Sequence, residues 1–204
     1  MGPQDDGVVV RTNARTVGLI TMLAGAFFVL GGGLGAAVEW SWLFIILSIA
    51  LLLYAVPKLH RLQAPADGSV GVWGTRLFLF GAGLMVALGV VFLIWEAVGD
   101  PGEPAWSEVV WPIGFFSFLL GFVLFIVGSL KAGVLDKVGL GLVVVGLVGS
   151  VALDMVTGAF FEDGSETTTT EWGFLLGIPL AGIGLLWIGY RLWSQQPEPA
   201  VSSS

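Results

Sequence analysis

VVWPIGFFSFLLGFVLFIVGSL, residues 109–130, runs 22 residues without a charge between Glu108 and Lys131. As a helix rising 1.5 Å per residue it extends about 33 Å, enough to cross the roughly 30 Å hydrocarbon core of a bilayer. Working outward from it, the same reading applies to residues 17–38, 40–56, 77–98, 138–161 and 172–193. The second of these is the shortest and joins the first through a tight turn at Glu39. The sequence therefore predicts an all-α, polytopic membrane protein of six transmembrane helices. Residues 15–193 make the bundle; residues 1–14 and 194–204 are polar and too poor in apolar surface to offset ordering entropy, so flexible tails are expected. The first apolar run is too long for a signal-peptide core and follows Asp5 and Asp6, so it reads as a retained helix.

Composition agrees with this class and excludes much chemistry. Of 204 residues, 56% are hydrophobic and 11% charged, where soluble chains carry roughly 25% charged. With no cysteine and one histidine, disulfides, thiolate nucleophiles, multi-histidine metal sites and bis-histidine haem are all without ligands. No phosphate-binding glycine loop follows a strand, and no nucleophile and base can be paired. No cofactor, metal or nucleic-acid partner is expected, and the chain reads as non-enzymatic. His60, in Lys58-Leu59-His60-Arg61, reads as a solvated loop residue.

Six spans sort the loops into two sides. Arg11, Arg15, Lys58, Arg61, Arg76, Lys131, Lys137 and Arg191 all fall on one, and the other has no basic residue but ten carboxylates. Basic residues near helix ends resist translocation, which predicts cytoplasmic N- and C-termini in a cell-membrane protein. Trp40, Trp42, Trp95, Trp106, Trp111 and Trp172 gather at the acidic side and Trp73 and Trp193 at the basic side, as interfacial belts do. Trp187 lies deeper and is expected against a neighbouring helix or lipid.

Arg15, Arg76 and Lys137 are 61 residues apart in turn, and Trp111, Gly121 and Gly128 recur 61 residues on as Trp172, Gly182 and Gly189. Three helical hairpins, an internal triplication, describe this economically. Helix association in lipid relies on small residues that let backbones approach. On that ground Gly31, Gly35, Gly121, Gly128, Gly177, Ala181, Gly182 and Gly189 are candidate packing residues, for the bundle itself, for a homo-oligomer or for a membrane-protein partner. Pro179, inside the sixth span, removes a backbone donor and predicts a kink.

Glu39, Glu96 and Asp154 stand near the acidic end of the odd-numbered spans, and an ionised group at such depth must face water or a partner. They are candidate cation-attracting or coupling residues. Two functions follow as expectations: a structural or accessory component acting through helix contacts, or a small transporter or channel for a cation or neutral solute with these carboxylates at its mouth. A net charge of −7 suits a high-salt setting. In this composition the chain resembles small, glycine-rich multi-pass membrane proteins of salt-loving archaea, a resemblance of character that assigns no residue a role.

Overall fold

The computed structural model describes residues 4–34, 41–64, 66–99, 106–157 and 172–194, without the side chains of residues 4–13, Glu96, Asp154, Thr157 and Trp172. Among these residues are six helices and no strand: α1 (Gln4–Leu34), α2 (Ser41–Gln63), α3 (Gly68–Val98), α4 (Ser107–Ala132), α5 (Lys137–Thr157) and α6 (Trp172–Ser194). Five are long and apolar enough to cross a membrane; the described apolar stretch of α5, Lys137–Leu153, is shorter, at the lower limit of the roughly 17–25 residues that suffice. Residues 158–161, the remainder of the expected fifth span, lie outside the described residues. Large apolar side chains such as Leu23, Phe80, Ile94, Phe116, Leu120 and Ile183 are exposed. In water such a surface would be untenable, whereas lipid accepts it. The chain is a multi-pass, membrane-embedded helical protein.

Each helix packs on its chain neighbours, and α6 returns to α1, so the six close a ring. Glycine makes the tightest junctions. A Cβ added to Gly25 would sit 2.6 Å from the carbonyl oxygen of Gly182, and one on Gly182 would sit 2.6 Å from that of Gly25. Gly18 and Gly189 repeat this one heptad away, at 2.7 and 2.5 Å. Such approach leaves no room for a side chain and brings α1 and α6 backbone to backbone. Between α3 and α4, Gly74 and Gly81 press on the backbone at Phe125 and Phe118, and Gly121 on that of Phe78. A line of rings, Phe78, Phe118, Phe122 and Phe125, fills the space beside them, with centroids 5.3 to 6.4 Å apart.

Registers fix the direction of each helix. Gly18 meets Gly189 while Gly32 meets Pro179, Gly74 meets Phe125 while Gly81 meets Phe118, and Gly139 meets Gly184 while Gly146 meets Ala181. Ser48 donates to the Ala24 carbonyl at 2.7 Å, and Gly31 lies against Ser41 and Ile45. All four pairs are antiparallel. His60 pairs with Asp67, and Ser129 bonds Gln63, which brings the ends of α2, α3 and α4 together. Arg15, Lys58, Arg61, Arg76, Lys131, Lys137 and Arg191 therefore share one end of the bundle, called here the basic end.

Two features depart from expectation. α2 does not stop at Val56: it continues through Pro57 to Gln63, because Leu52, Val56, Leu59 and Gln63 keep one face buried for a further two turns. α3 starts at Gly68 rather than Leu77, so the long basic-side loop shrinks to a turn. Gly68 there holds φ at 63°, a conformation costly to other residues. The glycines that recur at 61 residues meet different neighbours. Gly121 and Gly128 face α3, the preceding helix, whereas Gly182 and Gly189 face α1.

Candidate functional site

The interior narrows toward the basic end, where a separate, polar cavity of about 300 Å³ opens among Gly133, Asp136, Lys137 and Arg191. Toward the basic end, Thr21, Val56, Phe125, Ile126, Leu140, Val143 and Leu185 leave a void of about 10 Å³ between them, no more than one water requires. Toward the other end the ring encloses a cavity of about 350 Å³. All six helices line it: Phe28 from α1, Ile45 and Ile49 from α2, Met85 from α3, Phe115, Phe118 and Leu119 from α4, Leu147 and Val151 from α5, and Phe174 and Ile178 from α6. The sequence dictates this taper. Toward the basic end, glycine heptads draw α1 to α6 and α3 to α4; α4 and α5 as a pair pack far less closely.

The walls are apolar and aromatic. Two lining residues have polar groups. The Ser150 hydroxyl is turned back onto the Leu147 carbonyl of its own helix at 2.8 Å, and the Trp111 indole stands one turn from the start of α4. From Trp111 to Leu119 the wall descends about 12 Å at 1.5 Å per residue, well inside the apolar span. Its volume is at the lower end of the roughly 300–1,000 Å³ typical of ligand pockets. Such a space suits a hydrocarbon guest, and among the described residues it offers a cation no charged ligand.

Pro179 lies within α6, and its ring packs on Gly32 of α1, where a Cβ would stand 2.5 Å from Cδ. Gly177 and Ala181 face α5, against Ser150 and Gly146, and Gly31 faces α2. Of the carboxylates singled out from sequence, Glu39 lies outside the described residues, as do Gly35 and the side chains of Glu96 and Asp154. Among the described residues no three His, Asp or Glu gather as metal ligands would.

The structure brings together two polar groupings that the sequence reading missed, both near the basic end. His60 is a correction: it sits in the last turn of α2, 19% exposed, and its Nδ1 pairs with Oδ2 of Asp67, whose side chain is 2% exposed. Beside them Ser129 Oγ lies 2.9 Å from both the Phe125 carbonyl and Gln63 Oε1, while Gln63 Nε2 has no partner and is buried. One hydroxyl hydrogen cannot serve two acceptors; turning the Gln63 amide over lets nitrogen donate to Ser129, which then donates to Phe125. The only hint in sequence was Gln63 four residues after Leu59 on a buried helical face.

Asp136, in the turn before α5, organises the second grouping. Its Oδ1 accepts from the backbone N–H of Val138 and Gly139 at 3.0 and 3.1 Å and from the Trp187 indole at 2.9 Å; Oδ2 lies 3.6 Å from Arg191. The Gly139 N–H, with smaller help from Trp187, Val138 and Arg191, holds this carboxyl below its ordinary value against the opposing effect of burial. Trp187 thus lies against the neighbouring helix α5 and is tied to its cap.

Comparison with protein-family models, with curated proteins and with solved structures finds no match.

Proposed function

We propose that this chain is a non-enzymatic accessory protein of the cell membrane that shelters an apolar guest inside its helix ring. The cavity carries this reading: it is apolar, walled by all six helices and narrowed to a void of about 10 Å³ toward the basic end. Both termini lie in the cytoplasm in this reading, because the cations collect at the end where α1 begins and α6 finishes. Three consecutive hairpins, each entering and leaving on that side, describe the connectivity, with Arg15, Arg76 and Lys137 as their entry anchors. A partner or second copy would meet the exposed apolar belt, since Gly121, Gly128, Gly182 and Gly189 are occupied within the bundle.

A conduit for a cation or neutral solute, with Glu39, Glu96 and Asp154 at its mouth, would need the sealed floor to part, and the walls favour the sheltering role. Native mass spectrometry from mild detergent tests it. Wild-type protein, after incubation with membrane lipid extract, is expected to retain a discrete extra mass that Leu147→Trp loses while keeping its helical circular dichroism. Wild-type protein carrying no bound mass under those conditions would overturn the proposal.

A further inference from the structure

Resting on that reading, we infer that the guest is a single hydrocarbon chain of a membrane lipid, seated between α4 and α5 and reached sideways from the bilayer. Four junctions of the ring are drawn tight by glycine against a neighbouring backbone, or by a hydrogen bond between helices. The α2–α3 junction has Gly89 against Ile46 and the His60–Asp67 pair. The α4–α5 junction is built differently. Gly114, Gly121 and Gly128 of α4 all face α3; Gly139 and Gly146 of α5 face α6, and Gly141 and Gly149 meet nothing within 4 Å. The two helices share neighbours toward the basic end, yet at cavity height Phe118 and Leu119 of α4 and Leu147 and Val151 of α5 border one cavity, and α4 and α5 pack on each other far less than the other adjacent helices do.

Chemistry selects the chain and not a headgroup. The cavity lies at hydrocarbon depth, its one described hydroxyl is committed to its own helix, and among the described residues no charged side chain lines it. Its volume, near the lower limit for ligand pockets, matches one chain better than a whole two-chain lipid. Trp111, 42% exposed and close to the start of α4, stands at the level where the glycerol and headgroup of that lipid would remain in the interface.

The test uses the full chain in vesicles of phosphatidylcholine and phosphatidylglycerol, with trace phospholipid bearing a diazirine midway along one acyl chain. After irradiation the adducts are mapped by mass spectrometry. Phe116 and Leu120, 56% and 54% exposed, report ordinary lipid contact, and Val143, 0% exposed, reports background. Labelling is expected in addition at Phe118 and Leu147, which are only 5% and 6% exposed. Labelling confined to the exposed residues overturns the inference. A parallel sample receives adamantane diazirine, a small apolar probe. If that probe marks Phe118 and Leu147 while the lipid does not, the lipid-chain inference falls and the sheltering function stands; if neither marks them, both fall. In Val151→Trp, which narrows the α5 side of the opening, lipid labelling of Phe118 should drop to the Val143 level with Phe116 unchanged. Undiminished labelling of Phe118 there would overturn the sideways path.

Discussion

Replacing Gly121 by alanine adds one methyl group where α4 meets α3, and the structure says what it strikes. The new carbon would lie against the backbone nitrogen of Phe78, 2.6 Å from the carbonyl carbon of Leu77 and 2.7 Å from the Phe78 Cα. None of these atoms belongs to a side chain that can rotate away, so the helices must move apart and loosen the Phe78–Phe118–Phe122 contacts. Overpacking of this kind costs about 3 kcal/mol at the upper end of its range, and alanine returns about 1 kcal/mol of helix propensity. The net loss of about 2 kcal/mol corresponds to about 4–8 °C in Tm for a chain of this size. Gly83→Ala is the matched control on α3, because a Cβ there meets nothing within 4 Å. It should be neutral or slightly stabilising. Thermal unfolding in mild detergent, followed by circular dichroism, compares the two; equal Tm values would refute the claim that backbone contact at Gly121 holds α3 to α4.

Ser129→Ala strands the buried Gln63 amide and should cost about 1–3 kcal/mol, much of it recovered when Gln63→Leu is added, as a double-mutant cycle of unfolding free energies would show. Ser48→Ala removes the bond to the Ala24 carbonyl between α1 and α2. By the measured average for such bonds in membranes it should cost only about 0.6 kcal/mol, read from the same unfolding curves. Asp136→Ala removes the cap of α5 and should cost about 1 kcal/mol at neutral pH. Because the folded carboxyl titrates below its ordinary 3.8, its stabilisation is present above that value and lost as pH falls through the lower, folded one, so the wild-type and mutant unfolding curves should converge only in strong acid.

Residues 109–130 and their five companions disclosed the helical class, since an uncharged run of that length has few other fates. The partition of the cations was equally legible, and the contacts of Gly74, Gly128 and Ser129 show how antiparallel packing collects them at one end. Where α2 and α3 begin and end was less so. Pro57 and the charges after it look like a boundary, yet a proline near a helix end loses one hydrogen bond while Leu59 and Gln63 still gain burial. His60 was misplaced for the same reason. The cavity had no signature at all: a phenylalanine that lines a space and one that fills a core are the same letter. Only three-dimensional packing separates Phe118, which borders the cavity, from Phe125, which borders the sealed floor.

The sheltering role stands or falls on what occupies the ring when bilayer lipid is present. A cryo-electron microscopy map of the protein in lipid nanodiscs, sharp enough to show side chains, tests this most directly. Elongated density between Phe118 and Leu147, continuous with lipid through the α4–α5 opening, is the predicted result. A ring in which Phe118 and Leu147 have closed onto each other, with no density between them, would contradict it.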